Sequence, residues 1–338
     1  MNLNAEQKLV VDAREGAYQV QAGPGSGKST VLVARYAALL KEGIPPDDLL
    51  ALSFTKTAAK NLRDKVEKAY GELKHTRTAG PVTFHSLALS FAQEEREVFP
   101  FELQEFPLLP ELNAYRIAAE AGRKYEVDPR AARSYISLQK RGRVRADDAV
   151  KTADKTLDPK QIRLAEAYKF YDTKTREEGL LDFDSLIFEM VELLISKPEV
   201  RDRRQYKYVM VDEAQDCCIS EWTLLQALTS KNKNIVAVGD PSQAIYEFRG
   251  ADPELFQCMS GLFPDCKTLY LSANYRSTQE IIDFYRAYGV SEELSSRLHS
   301  VGPSGEKPDI QGFRSSDEEA EWVAKDIRNF LNPQQTLF

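Results

Sequence analysis

Ala22-Gly23-Pro24-Gly25-Ser26-Gly27-Lys28-Ser29 follows a β-branched and aromatic run at residues 18–22 and leads at once into an apolar-periodic stretch at 30–41. A strand that turns through small residues into a helix presents backbone N–H groups at the positive end of that helix, where an anion binds. Glycines let such a loop curl around phosphate oxygens, a lysine reaches the β- and γ-phosphates, and the hydroxyl after it ligates a divalent cation. The stretch reads as a phosphate-binding loop for ATP and Mg²⁺, with Ala22, Gly23, Pro24, Gly25, Ser26, Gly27, Lys28, Ser29 and Thr30 as its contacts and Ser29 as a metal ligand. Ala22 stands where the strict pattern has glycine, and the three glycines behind it keep the loop's freedom.

Further apolar runs occur at 50–54, 82–84, 206–211, 234–238 and 268–271, with the continuous character of strands buried on both faces. Helical patterns such as 30–41 and 57–70 lie between them, so the fold class is α/β, a parallel sheet covered on both sides. From about 87 to 180 the strand signal disappears, and charged amphipathic segments are broken at Pro100, Pro107, Pro110, Pro129 and Pro159. That block reads as a helical insertion between strands of one sheet. Beyond Asn274 a helical pattern spans 277–288, a polar link surrounds 301–308, and a last helix is expected near 317–331.

The run 208–211 closes on Asp212-Glu213-Ala214-Gln215-Asp216. The carboxyl edge of an open α/β sheet is where ligands bind. Taken alone, adjacent acids after a strand read as a solvated turn. Together with the glycine loop they read as the second half of an ATPase site, Asp212 holding the Mg²⁺ shell and Glu213 polarising the attacking water.

The length of 338 residues predicts about two domains. Apolar residues at 42% and charged residues at 29% are the balance of a soluble globular protein. No stretch approaches the ~18 apolar residues of a membrane span. The N-terminus lacks a basic start followed by an apolar block, so no secretory signal is visible and a cytoplasmic location is expected. Cys217, Cys218, Cys258 and Cys266 show no CxxC spacing, and there are three histidines, which argues for reduced thiols over a zinc site or disulfides. A net charge of −7 argues against a basic coat for bulk nucleic-acid binding and leaves a local basic groove open.

The next strand leads into Gly239-Asp240-Pro241-Ser242-Gln243-Ala244-Ile245-Tyr246-Glu247-Phe248-Arg249-Gly250-Ala251-Asp252, in which a glutamine, aromatics and an arginine leave the sheet edge together. Here the chain resembles the UvrD/Rep/PcrA family of superfamily 1 DNA helicases, because several motifs appear in order. They are Leu3-Asn4-Ala5-Glu6-Gln7, the phosphate loop, Ser53-Phe54-Thr55-Lys56-Thr57-Ala58-Ala59, Thr83-Phe84-His85-Ser86-Leu87, Leu181-Asp182-Phe183-Asp184, the acidic strand end, the 239–252 segment, and Asn274-Tyr275-Arg276-Ser277. The resemblance implies a RecA-like ATP-binding domain (1A) at 1–86 and 181–273, a helical subdomain (1B) at 87–180, and the incomplete start of a second RecA-like domain (2A) at 274–338. It implies that Gln7 reads the adenine edge, Gln243 senses the γ-phosphate, Tyr275 stacks on adenine and Arg276 neutralises the transferring phosphoryl group. Lys28, Asp212, Glu213, Gln243 and Arg276 are thereby the expected catalytic set. Phe54, Tyr246 and Phe248 are expected to stack on bases of one strand, with Thr55, His85 and Arg249 touching its backbone or sugars. Single-stranded DNA and duplex–single-strand junctions are the implied partners, and no particular protein partner is implied.

Several of these residues have plainer readings. Phe54 and Phe248 also read as core aromatics. His85 also reads as the cap of a helix beginning near Ser86, and Asp182 and Asp184 as caps. Arg133, Lys140, Arg141, Arg143 and Arg145 occur without an intervening acid and read either as an electrostatic track for DNA or as a solvated helix face. The chain departs from the family pattern at Thr30 (usually arginine), Cys217-Cys218 (usually threonine and asparagine) and Phe248 (more often tryptophan). After Arg276 nothing resembles the family's two later motifs, one of which carries a second phosphate-contacting arginine. The resemblance therefore implies part of a longer 3′ to 5′ helicase with DNA-stimulated ATPase activity, or a naturally shortened relative. The alternative is a module that binds ATP and single-stranded DNA without sustained hydrolysis. A kinase or other phosphate-loop transferase would leave the 239–252 and 271–278 motifs unexplained.

Overall fold

The computed structural model describes residues 2–71, 80–287 and 292–331. Its centre is a parallel sheet of β1 (Ala17–Ala22), β2 (Leu49–Ser53), β3 (Gly80–Thr83), β4 (Tyr208–Val211), β5 (Ile235–Gly239) and β6 (Lys267–Leu271), in the spatial order β3-β2-β4-β5-β1-β6. Val20 lies between Val238 and Leu269, and Leu52 between Val82 and Val211. Because β5 separates β1 from β4, the loops after these three strands open side by side on one edge.

Successive strand residues face opposite sides, and β2, β4 and β5 are covered on both, which is why their sequences are apolar without alternation, whereas β1 carries Gln19 and Gln21 and the edge strand β6 begins on exposed Lys267 and Thr268. On one side α1 (Ala5–Asp12), α2 (Lys28–Lys41) and α3 (Lys56–Tyr70) bury Val10, Val31, Leu39 and Leu62 against Val20, Leu49, Met210 and Val236. On the other, α4 (Phe84–Glu94) contributes Phe84, Leu87 and Phe91 to a cluster with Leu50, Leu52, Val209 and Val211. The strand expected at 82–84 ends at Thr83; Phe84 is the first residue of α4.

Between the halves of the sheet come α5 (Glu111–Tyr125), α6 (Pro129–Arg141), α7 (Ala146–Thr156) and α8 (Pro159–Glu177), which share a core of Ile117, Ile136, Ala149, Tyr168 and Tyr171. α6 and α8 each start with proline behind an aspartate whose side chain accepts first-turn N–H groups. The expected boundary at 87 falls inside α4, which packs with the sheet; the helices with a core of their own begin at Glu111. The chain then returns through α9 (Phe183–Ser196), α10 (Pro198–Arg203) and, after β4, α11 (Ile219–Leu228).

After β5 come α12 (Pro253–Gln257) and α13 (Met259–Leu262), and after β6 a short parallel pair, β7 (Ala273–Asn274) with β8 (His299–Ser300). α14 (Gln279–Arg286) and α15 (Glu292–Arg297) lie between β7 and β8 around Ile282, Leu294 and Leu298, and α16 (Ser316–Leu331) follows. Tyr288 of the expected 277–288 helix, and residues 332–338 of the expected second domain, lie outside the described residues. No described helix is long and apolar enough to cross a membrane.

Candidate functional site

The loop after β1 can take its shape only with glycine at two places. Gly25 and Gly27 have φ of +69° and +89°, and a Cβ on Gly25 would lie 2.6 Å from Arg276 Cβ. Gly27 is the N-cap of α2 with no side-chain cap, so the first N–H groups of α2 face out of the loop. The Ser26 hydroxyl braces the loop by donating to the Gly23 carbonyl at 2.7 Å. Lys28 Nζ lies 3.8 Å from Glu213 Oε2, joining the loop to the acids at the end of β4.

Asp212 is buried, and its Oδ1 has no hydrogen-bond partner. Burial, and then the neighbouring Glu213, push its carboxyl up to about 6, while Lys28 and the Ser29 hydroxyl pull the other way. An orphaned carboxylate oxygen beside a hydroxyl at a phosphate loop fits Mg²⁺, which takes one or two protein oxygens and fills its shell with phosphate and water. Asp216 is likewise pushed up to about 6 by burial and by Glu213. Glu213 itself holds a left-handed backbone (φ +52°), uncommon outside glycine, which sets its side chain across from Lys28.

Gln215, which the motif reading left without a role, joins two of these loops. Its Nε2 donates to Glu213 Oε2 at 3.0 Å and its Oε1 accepts the Asp240 N–H at 3.0 Å. Asp240 is fully buried after β5 and accepts from the side chain of Gln243. Asn274 is a second unassigned residue: Nδ2 donates to the Pro24 carbonyl at 2.6 Å, while Oδ1 accepts the N–H groups of Arg276 and Ser277, each at 2.8 Å. The Tyr275 N–H donates to the Gly25 carbonyl at 2.9 Å, so residues 274–276 lie directly on the phosphate loop. The only local signal for these residues was a polar side chain at the mouth of a buried strand.

The residues expected to meet adenine are only partly grouped. Gln7 is buried; its Oε1 accepts the Asn4 N–H at 3.1 Å and its Nε2 donates to the Ser26 carbonyl at 3.1 Å, leaving one N–H and one lone pair free. The half-exposed Tyr275 accepts from Asn4 Nδ2 at 2.9 Å, which brings its ring beside Gln7's helix. Arg276 is exposed above Gly25. Thr30 lies beside Gly27 near Gln7 Nε2 and also lines a groove between α2 and α3 with Ala34, Ala37 and Lys65.

On the neighbouring stretch of the rim, Phe54 stacks on Tyr246 with centroids 5.2 Å apart and planes at 27°, and Phe248 lies 6.4 Å from Tyr246. The Arg249 guanidinium sits 5.6 Å from the Tyr246 centroid. Phe248 is 77% exposed, which removes the core alternative for it; Phe54 is half-buried. Phe54 and Phe248 line a groove of about 700 Å³ whose other walls include Thr55, His85, Arg133 and Arg141, with Tyr246 packed behind them. His85 packs edge-on against Phe183 at 5.5 Å and is not a cap: the Thr83 hydroxyl accepts the Ser86 N–H at 3.1 Å instead. Burial pushes the His85 imidazole below its usual range, with Asp184 pulling it back. Thr55 caps α3 through the Ala58 N–H.

The basic stretch at 133–145 is neither a free track nor a solvated face. Arg133 and Lys140 pair with Asp182, Arg141 with Asp184, and Arg143 and Arg145 with Glu192. The acids absent from the local sequence stand on and before α9, and their charges are spent within the protein. Asp182 also caps α9 through the Ser185 N–H at 2.7 Å, bearing out its structural reading. Arg141 donates to the Arg249 carbonyl at 2.8 Å, which fixes the aromatic turn against α6. Cys217 and Cys218 are buried free thiols that stitch the acidic loop to the end of the 239–252 segment: the Cys217 carbonyl accepts the Asp252 N–H at 3.1 Å, and Cys218 bridges to Ala251.

Residues 3–264 match the family described as the UvrD/REP helicase N-terminal domain. A protein of Staphylococcus epidermidis named ATP-dependent DNA helicase PcrA is 32% identical over 96% of this chain and 45% of its own length. One of Staphylococcus aureus with the same name is 30% identical, again over 96% of this chain and 45% of its own. The chain thus spans about half the length of the relatives it matches.

Proposed function

The chain belongs to the UvrD/REP helicase N-terminal domain family, and on that premise we propose that it is the ATP-binding part of a DNA-stimulated ATPase that tracks along single-stranded DNA in the 3′ to 5′ direction. The observation that carries the reading is the single segment after β5, in which Gln243 is tied to Asp240 at the strand end and Phe248, five residues on, lines the groove. A change at the nucleotide has only a few residues to travel to reach a stacked base. The two relatives named ATP-dependent DNA helicase PcrA support the same activity.

In this reading Lys28 and the N–H groups of the glycine loop hold the β- and γ-phosphates, and Ser29 and Asp212 would hold Mg²⁺. That ion, when bound, neutralises charge between the phosphates. Glu213, fixed by Gln215 and by its left-handed backbone, orients the attacking water, and Gln243 faces the γ-phosphate. Arg276 reaches the transferring group from the segment seated on the loop. Phe54, Tyr246 and Phe248 grip bases through their faces, a grip that tolerates any sequence and therefore permits stepping. Arg133 and Arg141 shape the groove wall while paired with acids, so grip rests on stacking more than on net charge. Single-stranded DNA, and junctions that present it, are the partners this groove suits, in the cytoplasm.

The test is ATP hydrolysis by the purified chain with and without oligothymidylate, alongside nucleotide titrations. Lys28→Ala should weaken triphosphate binding, and Glu213→Gln should retain ATP and lose turnover. ATP and DNA binding without turnover in the unaltered chain would mark a binding module that needs the remainder of a longer motor. Failure to bind nucleotide at all, or unchanged turnover in Glu213→Gln, would refute the site.

A further inference from the structure

Tyr285 lies on α14, outside every motif that points to the nucleotide, yet its hydroxyl donates to Asp240 Oδ2 at 3.0 Å and lies against Ser242 Oγ, whose own proton also goes to Asp240. Asp240 is fully buried and takes four donors: the Ser242 N–H at 3.1 Å, the Ser242 hydroxyl, the Gln243 side-chain amide and Tyr285. Three of the four come from within three residues of Asp240. Tyr285 is the one brought from a distant element. On its other side the Asp240 N–H is held by Gln215, and Gln215 holds Glu213. A buried carboxylate with every lone pair engaged makes its donors interdependent, since none can turn away without leaving an unpaired group behind.

The Tyr285 ring is itself fixed, packed on Ile282, Leu294 and Leu298. The same module meets the phosphate loop directly, because a Cβ on Gly23 would lie 2.7 Å from Leu298 Cδ2 and Asn274 bonds Pro24. One unit therefore touches the loop with Asn274, Tyr275 and Leu298 and touches the Gln243 turn with Tyr285.

We propose that Tyr285 is a positioning residue for the γ-phosphate side of the site: through Asp240 it holds Gln243 and Gln215 in place, and so couples the seating of Asn274, Tyr275 and Leu298 on the phosphate loop to recognition of the third phosphate. The inference rests on the rim being an ATP site. It goes beyond that reading by assigning discrimination between ATP and ADP to a hydroxyl that touches neither.

Tyr285→Phe removes the hydroxyl and keeps the packed ring. Fluorescent ATP and ADP analogues would be titrated with Mg²⁺ into the full chain, its variant, Gln243→Ala and the double variant, with the thermal midpoint of each recorded. Loss of a hydrogen bond to a charged group should lower ATP affinity by about 5- to 10-fold and ADP affinity by less than about twofold. The thermal midpoint should stay within about 2 °C. In the Gln243→Ala background, Tyr285→Phe should have no further effect on the ATP to ADP ratio, because the two act through one carboxylate. Equal losses for both nucleotides, an unchanged ratio, or the same effect in both backgrounds would overturn the coupling and leave a structural tyrosine. If the unaltered chain binds neither nucleotide, the ATP-site reading fails and this inference falls with it.

Discussion

Asp182→Asn should cost this chain about 3–5 kcal/mol of folding stability, because it strips the counter-charge from a lysine with no route to solvent. The Lys140 side chain is 0% exposed and lies 3.4 Å from Asp182 Oδ2. That oxygen also accepts from Arg133 Nη1 at 3.1 Å and from the Tyr171 hydroxyl at 2.8 Å. An amide nitrogen in its place would face three donors. Turning the amide over would relieve that conflict and forfeit the α9 cap made by Oδ1 to the Ser185 N–H. Lys140→Met is the informative comparison, since Asp182 would keep Arg133, Tyr171 and Ser185, and the expected loss is only about 1–2 kcal/mol. Urea unfolding of the two variants gives both numbers. Burial opposes ionisation of Asp182, but Lys140 and Arg133, with the Ser185 N–H, outweigh it and hold the carboxyl well below its usual range. A depressed folded pKa contributes stability above the unfolded value of ~3.9 and loses it as pH falls further, so the gap between wild type and Asp182→Asn should narrow below about pH 4. A loss under ~1 kcal/mol for Asp182→Asn, or a larger loss for Lys140→Met, would refute the bracket.

Three further substitutions separate function from folding. Phe248→Ala should weaken single-strand binding by ~1–3 kcal/mol in a fluorescence anisotropy titration. At 77% exposure the same change should move folding stability by no more than ~0.5 kcal/mol. Gly25→Ala should lower nucleotide affinity by at least about tenfold, because the new methyl meets Arg276 Cβ and Asn274 Oδ1 and must displace them. Gly16→Ala, with φ +94° and nothing within 4 Å of the added carbon, carries backbone strain alone and should leave nucleotide affinity unchanged.

The residues proposed to touch nucleotide or DNA could be named from sequence because each falls in a contiguous motif. A glycine loop needs its lysine and serine beside it, and the acids must stand where β4 ends. The central strands β2, β4 and β5 were legible for a related reason: burial on both faces makes them almost wholly apolar, a pattern a solvent-facing helix does not share. That signal misled at Phe84, where a buried strand runs straight into a helix whose first residue is buried too, so hydropathy cannot mark the junction. The basic stretch at 133–145 misled differently. Its charge was counted correctly, but its counter-ions come from Asp182, Asp184 and Glu192, more than forty residues away, and no local window contains them. Asp240, Gln215 and Tyr285 belong with that second group, since their roles exist only where β4, β5 and α14 meet. The division has a physical basis. Ligand chemistry demands particular groups at short spacing, whereas holding those groups still demands only that some partner arrive, from any distance along the chain. Functional divergence within this architecture should therefore concentrate at such partners. A tyrosine on α14 can alter how firmly Gln243 is held while every ligand-contacting motif stays intact.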